Sequence, residues 1–220
     1  ISADSRQVYR GMDIGTGKDL DGYRINGKTI PYHLIDIVDP MEEYNVARFQ
    51  KDFHTVFANI KDRNKFPILC GGTGFYIKVV LMDFKLPTVG PDKTLRQALE
   101  TWTLKDLIQK LKNISPRASD NTPVDTKRRV IRAIEVEINR GNGGGVRDKS
   151  KSKVQAPLVL GIKYPREVIR DLITERLHER LNNGMIEEVE CLLKGRVTHE
   201  RLNNLGLEYR FISKFLHGDL

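Results

Sequence analysis

Pro67-Ile68-Leu69-Cys70-Gly71-Gly72-Thr73-Gly74-Phe75-Tyr76-Ile77 passes from an apolar run through a glycine loop into a second apolar run that extends to Leu81. The first run predicts a short buried strand and the second a helix. Glycines between a strand and a helix let backbone amides approach a phosphate or ribose, and the helix N-terminus adds partial positive charge. The same spacing also makes a tight turn that binds nothing, and spacing does not choose between the two.

Upstream, Phe49, Phe53, Val56, Phe57 and Ile60 recur at helical spacing, so residues 46–63 read as an amphipathic helix. Before it, the apolar positions of Ile30 to Val38 and the closing Asp39-Pro40 predict a strand ending in a turn. The first residues read as the end of another strand. Strand, helix, strand, glycine loop and helix in this order predict an α/β fold with a parallel sheet flanked by helices.

Downstream the rhythm changes. Pro87, Gly90 and Pro91 punctuate the chain, and short helical patterns over 94–100 and 104–113 predict a small helical insertion spanning 83–123. Residues 1–82 and 124–220 then form the core. That core is expected to hold a helix over 126–139, a glycine-rich surface loop from Gly141 and a buried strand over Leu158–Ile162. The remainder reads as helical, with Ile169, Ile173, Leu177 and Leu181 forming an apolar seam.

The 220 residues carry a net charge of +8, which favours a polyanionic partner such as nucleic acid. Three basic clusters stand out: Lys127, Arg128, Arg129 and Arg132; Arg147, Lys149, Lys151 and Lys153; and Arg166, Arg170, Arg176 and Arg180. No apolar run approaches the ~20 residues that span a bilayer. The first residues resemble no secretory signal, and the two cysteines have no metal-like spacing, so a reducing cytoplasm is expected.

Several side chains are candidates for chemistry. Asp4 follows a strand end, where α/β proteins bind ligands, although a capping aspartate reads the same way. Asp36, Asp39 and His33 share that ambiguity. Arg176 borders the apolar seam, a position that suits a phosphate ligand or a surface ion pair. Gly11 to Asp19 looks like a phosphate loop at a glance. Its glycine spacing is wrong and Asp19 stands where a metal-holding hydroxyl is required, so that role is rejected.

Taken together, Ser2 to Thr16, His33-Leu34-Ile35-Asp36 with Asp39-Pro40, and Gly71 to Ile77 resemble the tRNA dimethylallyltransferase (isopentenyltransferase) family. Asp125 to Arg129, Arg132 to Val136, and Arg176 with Gly184 to Val189 continue the resemblance in family order over nearly the whole chain. It implies a P-loop NTPase-like core with a helical insertion that grips the anticodon stem-loop of tRNA. The implied reaction moves a dimethylallyl group from dimethylallyl diphosphate to N6 of the adenosine 3′ of the anticodon. By the same resemblance Asp4 is the general base and Arg176 binds the diphosphate, aided by Mg²⁺. Asp4, Ser5, Arg6, Gln7, Thr73, Arg96, Arg128, Arg129, Val130, Ile131 and Arg132 match positions that touch the tRNA. The target base must leave its stack to be reached.

The family's own phosphate loop would precede Ile1, and its glutamine-rich basic motif would follow Leu220. The chain is therefore expected to be part of a longer monomeric enzyme and inactive without the phosphate loop. Two other readings stay open: an adenylate isopentenyltransferase acting on free nucleotides, and a catalytically incomplete RNA-binding fragment.

Overall fold

A computed structural model describes residues 1–82, 86–87, 89–140, 154 and 156–220, without the side chain of Arg140. The expected glycine loop from Gly141 and the basic cluster from Arg147 to Lys153 lie outside the described residues. The chain divides into two units, Ile1–Phe84 with Ser152–Leu220, and Lys85–Lys151.

The first unit opens with an irregular segment that carries the site. A short hairpin follows, β1 (Arg24–Ile25) antiparallel to β2 (Lys28–Thr29). Asn26 and Gly27 join the strands with positive φ at both positions, which is the backbone a tight hairpin turn requires. Helix α1 (Val46–Asp62) starts where the Asn45 side chain accepts the N–H groups of Ala47 and Arg48, both at 3.1 Å. Its Phe49 ring stacks on Tyr76 of α2 (Gly74–Leu81), with centroids 4.1 Å apart.

In the second unit, α3 (Lys93–Glu100), α4 (Leu104–Ile114), α5 (Pro116–Asn121) and α6 (Lys127–Arg140) share one core. Leu99, Leu107 and Leu111 meet Val130, Ile131 and Ile134 there. Each such side chain contributes about 1.5–3 kcal/mol on burial. The helix expected over 126–139 thus packs with the helices of the insertion. Its apolar stripe has its matching surface on α3 and α4, so the helical unit runs well past the expected boundary at residue 123.

The first unit resumes with α7 (Arg166–Asn182), α8 (Met185–Lys194), α9 (His199–Leu202) and α10 (Leu207–His217). Met185, Val189, Leu192, Leu202, Leu205 and Tyr209 close a core with Ala3, Val8, Tyr9, Met12, Phe49 and Phe53.

The expected parallel sheet is largely missing among the described residues. Only two isolated parallel bridges occur, Ser2 with Cys70 and Tyr9 with Val38. Residues 30–40 cannot run as a regular strand, because Leu34 (φ 64°) and Asp36 (φ 55°) adopt left-handed backbone. Cys70 and Ile68 are exposed rather than buried. Leu158 to Ile162 belongs to no helix or strand, and Ile162 is 88% exposed. The seam of α7 is likewise open: Ile169, Ile173 and Leu177 are exposed, and only Leu181 packs on the core. These segments have the composition of core elements, but among the described residues nothing covers them.

Candidate active site

Asp4 to Gln7 is a half-buried turn suspended between segments distant in sequence. On one side, the Ala3 N–H donates to the Cys70 carbonyl at 2.7 Å and the Thr73 N–H donates back to the Ala3 carbonyl at 3.1 Å. Gly71 makes this approach possible, since a Cβ there would lie 2.5 Å from the Ala3 carbonyl carbon. The Ser5 N–H then donates to Thr73 Oγ1 at 3.0 Å. Asp4 and Thr73, 69 positions apart, are thereby brought to one place.

Within the turn, Asp4 Oδ1 accepts the N–H groups of Arg6 at 2.7 Å and Gln7 at 3.3 Å. Such an aspartate-closed turn fixes the carboxylate relative to the backbone. No described hydrogen bond engages Oδ2.

Gln7 holds the other side. Its carbonyl accepts the Asp36 N–H at 3.1 Å, its Nε2 donates to the Gly17 carbonyl at 3.1 Å, and its Oε1 accepts Ser2 Oγ at 3.1 Å. Lys18, next to Gly17, ties these partners together. Its side chain is 0% exposed, and its Nζ ion-pairs with Asp36 and with Asp13 and donates to the Tyr9 carbonyl. An ammonium with three protein acceptors has no donor left for a phosphate. The rejection of Gly11–Asp19 as a phosphate loop agrees with this geometry.

The loop before Lys18 is clamped as well. The Glu188 carboxylate of α8 accepts N–H groups from Asp13, Ile14 and Gly15, and the Tyr209 hydroxyl at 2.6 Å. Burial, reinforced by Glu188, pushes the Tyr209 phenol far up, so it remains a hydrogen-bond donor. Arg180 of α7 donates to the Gly15 carbonyl at 3.1 Å. Arg176 lies one helical turn before Arg180, and residues four apart share a helix face. Arg176 is exposed, and the stripe it was expected to border is not buried among the described residues.

The remaining expected tRNA-touching residues, Arg96 and Arg128 to Arg132, belong to the helical unit. Glu135, 0% exposed, organises two of them. Arg96 grips its carboxylate with Nε at 3.0 Å and Nη2 at 2.9 Å, and Arg132 and the Asp92 N–H complete the set. Arg132 also donates to the carbonyls of Val89 and Gly90, so it fastens the start of the unit. Burial would raise the Glu135 carboxyl, but these donors hold it below the usual glutamate range. Arg129 pairs with Asp125 at the surface, while Arg128 is exposed without an ion pair among the described residues.

The side chains of Val130 and Ile131 are core residues of the unit. They lie on the inward face of α6, whereas Arg128 and Arg129 lie on its outward face.

Sequence reasoning missed Lys18, Glu135 and the Glu188 clamp. The signal for Glu135 was its position three residues after Arg132 on one helix face. For Lys18 only the fold could supply the answer, since its partner Asp36 is 18 positions away. The charge distribution offered a further clue: residues 85–151 hold 15 of the 37 Lys and Arg but 8 of the 29 Asp and Glu, which is +7 of the net +8. Among the described residues, no helix is long and apolar enough to cross a membrane.

Comparison with known proteins gives the family. The sequence model of the IPP transferase family matches residues 7–220. A tRNA dimethylallyltransferase 1 of Azobacteroides pseudotrichonymphae is 47% identical over 220 residues, covering 100% of this chain and 71% of that protein. Another from Geotalea uraniireducens is 44% identical, with coverage of 100% and 70%. The crystal structure of a full-length tRNA isopentenylpyrophosphate transferase from Bacillus halodurans superposes with a TM-score of 0.62 at 31% identity, covering 100% of this chain and 69% of that one. The chain belongs to the IPP transferase family.

Proposed function

We propose that this chain is a tRNA dimethylallyltransferase, which transfers a dimethylallyl group from dimethylallyl diphosphate to N6 of the adenosine 3′ of the anticodon. The observation that carries this reading is the Asp4–Gln7 turn, pinned through Thr73, Gly17 and Asp36, in a member of the IPP transferase family.

The chemistry follows from that turn. The adenine amine forms a bond to C1 of the dimethylallyl group as the C1–O bond to diphosphate breaks. Asp4 accepts the proton that the amine loses, through the oxygen its own turn leaves unoccupied. Ser5, Arg6, Gln7 and Thr73 position the acceptor nucleotide, and Arg176 binds the departing diphosphate. Arg96, Arg128 and Arg129, on the strongly basic helical unit, bind phosphates of the anticodon stem-loop. Mg²⁺ would serve as the diphosphate's counter-ion. Among the described residues no group of three or more His, Cys, Asp or Glu is arranged to hold a metal, so no ligand set is assigned to it.

The same reading includes a P-loop NTPase-like parallel sheet, a monomer and a cytoplasmic location. The two parallel bridges and the uncovered apolar segments at Ile68 and Leu158–Ile162 support the sheet, because parallel strands are normally buried on both faces.

The deciding experiment incubates the complete enzyme, phosphate loop included, with radiolabelled dimethylallyl diphosphate and either unmodified tRNA or AMP. Label in tRNA is the expected result. Label in AMP alone would make the chain an adenylate isopentenyltransferase, and tRNA binding without transfer would leave an RNA-binding protein.

A further inference from the structure

We propose that a groove at the start of α4 in the helical unit is a stacking site for an unpaired RNA base. The proposal rests on the reading that the chain acts on tRNA, and it names a contact which that reading does not contain. The groove has a volume of about 770 Å³ and is lined by Trp102, Thr103, Asp106, Gln109, Lys110 and Asn113 among others.

Trp102 is 40% exposed, a large apolar ring left at the surface just before a helix. Aromatic rings in such positions are the usual platforms for unstacked bases, because every base has a π-face to offer. The Lys110 ammonium lies over the Trp102 ring, 5.4 Å from its centroid, so a base stacking on that face takes the place of this flexible cation. A base laid on that ring would bring its phosphate within the reach of this cation.

The polar wall has matching chemistry. Asp106, Gln109, Lys110 and Asn113 follow one another at helical spacing on a single face of α4, while Leu107 and Leu111 point into the core. Gln109 Nε2 donates to Asn113 Oδ1 at 2.9 Å, which leaves amide donors and an acceptor for the edge of a base. The one carboxylate in the groove is already engaged: Asp106 accepts the Thr103 hydroxyl at 2.6 Å in the helix N-terminal cap.

The charge of the unit, together with the proposed action on tRNA, favours nucleic acid as the occupant. Residues 85–151 carry +7 of the chain's +8, and Lys105, Lys110 and Lys112 all lie on α4. An uncharged or cationic protein surface would gain nothing from that field, whereas an RNA backbone is attracted by it.

Trp102 is the sole tryptophan of the chain, so its emission reports this groove alone. The test titrates the enzyme with an unmodified tRNA transcript, following tryptophan emission and, separately, filter retention of the RNA. Emission should be quenched in step with binding. Trp102→Ala should raise the dissociation constant about tenfold and Trp102→Phe should restore most of it, since a base retains an aromatic face to stack on. tRNA bound at saturation with unchanged emission, or Trp102→Ala binding as tightly as the parent, overturns the site and leaves the proposed function standing. A parent protein that retains no tRNA would overturn both.

Discussion

Lys18 and Asp36 form an ion pair that closes a ring around Gln7. Lys18 follows Gly17, whose carbonyl takes the Gln7 side chain, and Asp36 supplies the N–H that the Gln7 carbonyl accepts. One ammonium therefore holds both partners of Gln7, three residues from Asp4. Lys18→Met should destabilise the fold by about 2–3 kcal/mol, because two carboxylates and a carbonyl lose a charged donor. Turnover should fall more than the tRNA affinity does. A denaturant midpoint and steady-state kinetics measured on one preparation check both parts, and an unchanged midpoint contradicts the ring.

Asp4→Ala removes the proposed proton acceptor and the acceptor of the Arg6 and Gln7 N–H groups, but leaves Ser2, Gly17 and Asp36 in place around Gln7. Turnover in prenyl transfer should drop about 10²–10⁴-fold, the usual contribution of a general base. Binding of tRNA should change little. Normal turnover in this variant would take Asp4 out of the reaction.

Gly71→Ala tests the close approach of the glycine loop to Ala3. The added Cβ would lie 2.5 Å and 2.6 Å from the Ala3 carbonyl carbon and oxygen, and backbone cannot swing aside as a side chain can. The loop must shift, and Thr73 with it, so the Ser5–Thr73 hydrogen bond should be lost. Prenyl transfer should suffer together with thermal stability. Gly72→Ala serves as the control, since a Cβ there has nothing within 4 Å.

Glu135 sets an acid limit for the helical unit. Its carboxyl is held below the usual glutamate range, so the native state favours the ionised form. The associated stability is complete above the unfolded value of about 4.3 and is lost as pH falls through the lower native value. Glu135→Gln should remove this acid-dependent component and weaken the unit at neutral pH, because Arg96 and Arg132 lose their shared anion. Thermal unfolding recorded between pH 3 and pH 7 shows whether the variant's profile flattens.

Local signals were legible wherever one segment carried its own answer. The periodicity of Phe49, Phe53 and Ile60 defined α1, and the apolar run after the glycine loop defined α2. The Asn26-Gly27 turn was equally local and was overlooked. The turn containing Asp4 was picked out through a resemblance spread over the whole chain rather than through its own residues, which read equally well as a cap.

Pairing was not legible, because it depends on which distant groups meet. Alternation at residues 30–40 suggested a strand, yet left-handed backbone at Leu34 and Asp36 turns that segment toward Gln7 instead. Nothing near Arg132 in the chain foretold that the fold would bring the carbonyls of Val89 and Gly90 within its reach. The sequence by itself determined the helices, the basic balance and the family, all of which depend on residue type and order. Only the tertiary structure decided that Lys18 is buried, that α6 belongs to the helical unit, and that Thr73 holds Ser5. Those outcomes depend on contacts between residues far apart in the chain, where packing and the need to pair every buried charge select the partners.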